Sequence, residues 1–313
     1  MSMKGFVVGN LFVFTYHYVR NIIYKNPGIH PVSVDQFNKD IKKLKNSFKF
    51  YNTEYYFEDT KLNEHDFFSI TFDDGIIDQS KDILNILNEN KIKGIFFINS
   101  RPYVEKIPNI VNKFHWIRSN FSQDHFANEF TNILKSLDIS IDNNISANAQ
   151  LIHKHDNKDV AIIKYLISTI LPNNTLEKLS DIFLDRLNVS NHALCEQIYI
   201  DKDTLVEMHN EGHAIELHGH SHYMYSRLNN DDMKLDLNKN IDFLKKLIGK
   251  KEFLFAYPYG RANAIPADQE NLFQLFESNN IKKVFTLNSS KNILNNNLIV
   301  DRFTNNEIDS LLQ

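Results

Sequence analysis

The chain has a single cysteine, Cys195, among its 313 residues. One thiol excludes an intramolecular disulfide framework and any cysteine-rich zinc site. An excess of positive charge is lacking as well: 35 Lys and Arg stand against 39 Asp and Glu, a formal net charge of −4. That balance gives no electrostatic case for nucleic acid or an anionic membrane as a main partner. Nowhere do about 18 apolar residues run uninterrupted, so no stable membrane insertion is expected. Near the N-terminus Lys4 precedes an apolar stretch, but Gly9, Asn10, Thr15, Tyr16 and His17 break it. No small-residue cleavage site follows, and the stretch reads as a first β-strand, roughly Leu11 to Tyr18. The protein is therefore expected to be cytoplasmic.

What is present fits a soluble globular protein: 42% of residues are hydrophobic and 24% charged. The length allows one large α/β domain or two ordinary ones with a buried core. After the first strand, Ser33 and Gln36 form a capping-box pair ahead of Val34, Phe37, Ile41 and Leu44 at helical spacing. A second strand, Phe67 to Asp73, leads into a helix around Asp78 to Asn90, and GIFFINS supplies a third strand. Later strands are expected at Ala214 to Leu217, Phe253 to Tyr257, Lys283 to Leu287 and Leu298 to Val300. Helices at about Asp231 to Ile248 and Ala267 to Ser278 separate some of them. Strand–helix alternation of this kind implies a parallel sheet, open or closed into a barrel. Between about Pro108 and Ile200 the pattern changes to successive helices, such as His125 to Leu137, Asp159 to Leu171 and Leu176 to Leu187. The expectation is a single domain over 1–313 with a helical insertion or lid at about 108–200.

Three polar motifs close expected strands. Thr71-Phe72-Asp73-Asp74-Gly75 follows FFSI, His218-Gly219-His220-Ser221-His222 follows AIEL, and Tyr257-Pro258-Tyr259-Gly260 follows FLFA. In parallel α/β folds the carboxyl ends of the strands share one face, and sites are built there from the following loops. Two adjacent carboxylates and a histidine pair can thus meet although they are distant in sequence. Each motif alone has a plain alternative: an aspartate cap and turn, surface or core histidines, an ordinary proline turn. Their conjunction at strand ends, in this order, makes the stronger case. With 13 histidines in the chain, a metal site is permitted by composition.

TFDDG, HGHSH and AYPYG resemble the three leading motifs of the NodB-type polysaccharide deacetylase family, carbohydrate esterase family four. The match is tightest over Ile70–Asn99 and His213–Arg261, holds in pattern from Leu11 to Ser69, and leaves 108–200 uncovered. Tyr16-His17 and Val300-Asp301-Arg302 are also similar to segments in many members. The resemblance implies an α/β fold, a distorted, incomplete (β/α) barrel, holding one divalent metal, with zinc expected. By position, Asp74, His218 and His222 would be the metal ligands, leaving a further coordination position open as in catalytic sites. Asp73 would be the general base for the attacking water, and the backbone N–H of Tyr259 would stabilise the oxyanion.

The chain departs from the family pattern at two places. Ala256 stands where the third motif often carries an arginine, and Arg302 is expected to supply the charge that orients Asp73 instead. No histidine follows Gly260, so the family's late catalytic-acid histidine has no counterpart. His17, near the end of the first expected strand, is the candidate acid, since an ordinary imidazole pKa of about 6.5 suits protonation of a departing amine. The plainer alternative is a histidine that only hydrogen-bonds at the barrel mouth. His213 reads as structural, His220 as pointing away from the metal or supporting it, and His153 and His155 as residues of a solvated loop.

The function implied is removal of an N-acyl group, N-acetyl first, from an amino sugar or sugar conjugate, in building a surface glycan. Without a secretion signal, a nucleotide-linked, lipid-linked or free sugar suits the chain better than a finished extracellular polymer. Two other readings stay open: hydrolysis of a small amide or formamide, and a non-catalytic module that binds a glycan or partner. The Asp73-Asp74 pair favours catalysis, because a binding module has no evident need for a spare base beside a ligand.

Overall fold

The computed structural model describes residues 9–21, 29, 31–58, 65–140, 143–152, 158–267, 270–293 and 298–312. These fall into two compact units, one drawn from 1–22, 31–105 and 196–313, the other from 23–30 and 106–195. The first unit carries the sheet: β1 (Asn10–Tyr16), β2 (Lys49–Phe50), β3 (Phe67–Asp73), β4 (Ile95–Ile98) and β5 (Ala214–Leu217) come first. β6 (Phe253–Ala256), β7 (Ile281–Thr286), β8 (Asn292–Ile293), β9 (Ile299–Asp301) and β10 (Phe303–Thr304) follow. The pairing runs β10-β1-β3-β4-β5-β6-β7-β9, with β2 added on β3 and β8 on β1. All these pairs are parallel except β1 with β8.

The two ends of that path, β9 and β10, are separated in the chain by Arg302 alone. A sheet whose ends lie one residue apart has to curl round on itself, and the result is a nearly closed (β/α) barrel. Its interior follows the strand period of two. Leu11 and Val13 of β1, Ile95 and Phe97 of β4, Leu254 and Ala256 of β6 and Val300 of β9 share one buried cluster. Continuing in twos along the same strands reaches Thr15 and then His17, and from Val300 reaches Arg302. The apolar interior thus gives way to polar side chains at the carboxyl ends of the strands, where barrel sites are built.

Helices α1 (Val34–Ser47), α2 (Asp82–Glu89) and α3 (Arg101–Val104) belong to the first unit. The second unit follows with α4 (Ile110–Ser119), α5 (Gln123–Ser136), α6 (Asn143–Ile152), α7 (Lys158–Tyr165) and α8 (Asn173–Arg186). α9 (Asn191–Ile198) carries the chain back to α10 (Lys202–Asn210), α11 (Asn230–Ile248), α12 (Glu270–Ser278) and α13 (Ile308–Leu311). Among the described residues of 106–195 there is no strand. Phe126 stacks on Phe183 at 5.3 Å between ring centres in that unit. The buried Lys113 ammonium is held by Glu177 at 3.1 Å and Asp181 at 2.8 Å, bracing α4 against α8.

Three local expectations are corrected. The first strand stops at Tyr16, so His17 sits in the bend beyond it. The helix expected over 159–171 gives way after Tyr165 to a single π-helical stretch, Leu166–Ile170. The capping box at α1 is only half made: Ser33 Oγ accepts the Gln36 N–H at 3.1 Å, but the Gln36 amide donates to Asp40 at 2.7 Å. Asp40 also accepts the Tyr16 hydroxyl at 3.0 Å, so the glutamine serves a buried carboxylate rather than the helix end.

Candidate metal and catalytic site

Asp73 is the last residue of β3, and Asp74 and Gly75 make the turn that leaves it. Both take a left-handed backbone, φ 75° at Asp74 and 68° at Gly75. A side chain at Gly75 would be strained there and would also meet Ile98 Cδ1 at 2.8 Å. The third motif repeats the device, with φ 65° at both Tyr259 and Gly260, and His222 has φ 55°. A bulky residue in this region costs on the order of 1–3 kcal/mol, and such strain concentrates at functional sites. Here it turns Asp74 and His222 toward one point.

Asp74 Oδ1 lies 3.2 Å from His222 Nε2 and 3.5 Å from His218 Nε2. All three residues are buried, and their ligand atoms lie within 4.8 Å of one another, a group able to hold a metal ion. The imidazole of His218 is oriented from behind, with Nδ1 2.8 Å from the carbonyl oxygen of Ala256. A carbonyl only accepts, so Nδ1 carries a proton and Nε2 is the nitrogen turned toward Asp74. Three potential ligand atoms gathered in one buried cluster suit a cation, and the donor set of two imidazoles and a carboxylate fits zinc or a similar divalent ion. The Asp74 carboxyl is pushed up by burial, but the charge on His222 and the hydrogen bonds from His218 and His222 outweigh this and hold it well below the ordinary carboxylate range.

Asp73 faces a different partner. Arg302, itself buried, forks onto it with Nη1 2.7 Å from Oδ1 and Nη2 3.0 Å from Oδ2. The same guanidinium donates to the Thr286 carbonyl at 3.2 Å and lies near the Thr15 and Thr71 hydroxyls. A two-pronged pair fixes the carboxylate in orientation as well as charge. Burial raises the Asp73 pKa, while Arg302 first, then His218 and His17, bring it below the ordinary value. The structure therefore places Arg302 on Asp73. His17 Nε2 lies 3.8 Å from Asp73 Oδ2, with the imidazole nearly half exposed. The half-buried Tyr259 packs its ring 5.0 Å from that of His222. Burial lifts its phenol to about 12. Among the described residues no acceptor takes the Tyr259 backbone N–H.

Four positioning residues have no counterpart in the sequence reading. Asp236 of α11 accepts the backbone N–H groups of His220 at 2.7 Å and Ser221 at 2.8 Å, and the Tyr225 hydroxyl at 3.1 Å. Asn240, one turn on, accepts the His218 N–H at 3.0 Å and donates to Ile98 O at 3.1 Å. Asn99 donates to the carbonyls of His218 at 2.5 Å and Gly219 at 3.3 Å. The fourth is Gln79, whose amide reaches the carbonyls of Asp73 at 2.6 Å and His17 at 3.0 Å. The spacing Asp236–Asn240 follows the helix repeat and is the one signal available in sequence.

His220 and His213 both lie among the described residues. His220 points away from the cluster, with Nδ1 2.8 Å from Ser100 Oγ and Nε2 2.9 Å from Glu105. His213 accepts the Gly94 N–H at 3.1 Å, and burial lowers its pKa to about 4, so it is a neutral structural acceptor. His153 and His155 lie outside the described residues.

A parallel barrel with carboxylates and imidazoles gathered at the carboxyl ends of its strands has the build of an α/β-barrel enzyme. The chain belongs to the polysaccharide deacetylase family, whose sequence profile matches residues 61–164 and 156–275. Together these stretches take in the helical segment that the motif resemblance leaves uncovered. Deacetylation, a hydrolysis, is thus the class of reaction to which the site belongs. Among solved structures, the chain is similar to the Streptococcus pyogenes deacetylase PplD in complex with acetate, at 15% identity over 97% of both chains with a TM-score of 0.58. It is similar to IcaB from Ammonifex degensii at 15% identity over 97% of this chain and 96% of that one, TM-score 0.58. The de-N-acetylase from Aggregatibacter actinomycetemcomitans matches at 13% identity over 94% of both chains, TM-score 0.52. At such identities the likeness establishes the fold. A comparison with curated protein sequences returns no significant match.

Proposed function

We propose that the protein is a metal-dependent N-deacetylase that removes an acetyl group from an N-acylated amino sugar or sugar conjugate. The observation that carries this is the pair of adjacent aspartates held in different company, Asp74 by His218 and His222, Asp73 by Arg302. Asp74, His218 and His222 would hold the ion, with zinc the best match to the donor set. When bound, it would supply Lewis acidity toward the acyl carbonyl and the attacking water.

Asp73 is the general base. Kept ionised by Arg302, it is ready to accept the proton of the water that attacks the acyl carbon, and the fork holds its accepting oxygens in one orientation. The Tyr259 N–H, with no acceptor among the described residues, is available to the oxyanion that develops as the carbonyl carbon becomes tetrahedral. The amine must be protonated to leave. His17 is near enough to Asp73, and exposed enough to meet a substrate, to hold that proton and give it up. This answers the lack of a histidine after Gly260 with a histidine from the opposite end of the chain.

The substrate proposed is a nucleotide-linked, lipid-linked or free amino sugar, in a cytoplasmic step of surface-glycan building. The family match supports the sugar. Metal analysis of the purified protein, followed by acetate-release assays over N-acetyl sugars and their nucleotide conjugates, tests the reading. One divalent ion per chain with acetate released from a sugar amide is expected. Stoichiometric metal with no release from any sugar, but release from formamides, would transfer the function to small amides.

A further inference from the structure

We propose that Asp78 and Gln79 are positioning residues that hold the His17 imidazole at the Asp73 carboxylate. The inference rests on the acid role proposed for His17. The two residues belong to a single turn of 3-10 helix, Ile77–Gln79, that follows the Asp73-Asp74-Gly75 turn after one extended residue, Ile76. Gln79 is fully buried and donates its one amide group to two carbonyls, those of Asp73 at 2.6 Å and His17 at 3.0 Å. Its own Oε1 is buried with no partner. A buried acceptor left unmade is costly, so the residue is held there by what its donors do. Asp78 grips the Arg20 guanidinium, which also lies 5.5 Å from the Tyr18 ring centre. The Arg20 N–H in turn bonds to Val32 O at 2.9 Å.

Two consecutive side chains therefore pin the 17–20 loop at its two ends. Among the described residues the His17 ring makes no hydrogen bond, and its contact with Asp73 spans 3.8 Å. Where the imidazole sits is consequently decided by where its backbone is held. The carbonyl that Gln79 grips on the other side belongs to the base itself. The Asp73 carboxylate is fixed independently by the Arg302 fork, so the amide decides where the acid sits relative to a base already held, and neither Asp78 nor Gln79 need touch substrate to matter. A displacement on the order of 1 Å of a proton donor can cost about a hundredfold in rate.

The test is a double-mutant cycle between Gln79→Met and His17→Ala in the full-length, metal-loaded protein. Hydrolysis of an N-acetylglucosamine oligomer reports the amide reaction and phenyl acetate the ester reaction, whose leaving group needs less protonation. Gln79→Met should lower kcat on the amide by about ten- to a hundredfold, with KM, ester rate and metal content within about twofold of the parent. In the His17→Ala background the same change should cost nothing further, because a positioning residue has nothing left to position. The His17 ring resonance in histidine-labelled protein, assigned by its loss in His17→Ala, should move or broaden in Gln79→Met. An additive loss in the His17→Ala background, or equal losses on amide and ester, overturns the proposal by showing that Gln79 acts through Asp73. An undiminished amide rate in His17→Ala removes the acid role, and the proposal with it. Should Gln79→Met fail to fold, Asp78→Asn releases the other end of the loop, and the same non-additivity with His17→Ala is required of it.

Discussion

At the scale of single residues, the two aspartates are distinguished by what holds them. Asp74 shares its buried surroundings with two imidazoles, whereas Asp73 is gripped by a guanidinium whose fork it fills. Alanine at Asp74, His218 or His222 should therefore abolish stoichiometric metal by elemental analysis, since three ligands leave no redundancy. Full metal in all three variants would rule out the cluster as the site. Asp73→Asn should keep the metal and lose most turnover, because the amide preserves shape but cannot accept a proton. Arg302→Lys probes the pair from the other side. Lysine retains the charge but not the two-pronged geometry, so kcat on the amide should fall by about ten- to a hundredfold while the metal is retained. A lysine variant with parental kcat would mean that Arg302 contributes charge or packing alone.

At the scale of elements, strand β5 is joined to β6 by few backbone bonds. Its pairing with β6 comprises one registered pair, Leu217 with Phe255, and the Glu216 carboxylate fills in by accepting the Leu254 N–H at 2.8 Å. Burial lifts the Glu216 carboxyl to about 7, although Lys250, 2.7 Å away, draws it part of the way back. The folded pKa is thus above the unfolded value of 4.5, and the folded state keeps a proton that the unfolded chain gives up. Stability from this group is fully present below about pH 4.5 and is lost as pH rises through about 7. Urea unfolding of the parent and of Glu216→Gln, at intervals from pH 4.5 to 8, should give curves that diverge across that window. The parent should lose up to about 3 kcal/mol relative to the variant and then run level. Parallel curves would mean that Glu216 titrates alike in both states.

The same elements show why parts of the site were legible in sequence. Asp73, Asp74, His218 and His222 close hydrophobic strands, so their shared face follows from parallel topology. Arg302 lies two residues beyond the buried Val300, and the alternation carries its side chain to the same interior. Gln79, Asp236 and Asn240 were not legible, because polar residues in a turn or along a helix are ordinarily solvated and nothing local says that these face inward. Barrel closure was implied by the family resemblance but left open by the strand pattern alone. β10 has two residues, too few to display a period, and only its pairing with β1, Phe14 with Phe303 and Thr15 with Thr304, reveals it.

At the scale of the whole molecule, every proposed catalytic and metal residue belongs to the barrel unit, and none to the helical unit of 106–195. We propose that the helical unit selects the substrate, as segments between barrel strands often do. Its Lys113 offers a way to loosen it without touching the site. The ammonium is fully buried, whereas Asp181 is about half exposed, so the two sides of the bridge differ. Removing the carboxylates strands a buried charge; removing the lysine leaves acids that can take up water. Glu177→Gln/Asp181→Asn should consequently destabilise the unit more than Lys113→Met does, and amide hydrogen exchange across Ile110–Arg186 should report it. If the unit selects substrate, the double variant should raise KM for the sugar amide while kcat on phenyl acetate and metal content stay near parental values. Faster exchange with an unchanged sugar KM would assign the helices a purely structural role. Loss of metal together with faster exchange in the barrel strands would instead show that the two units fold as one.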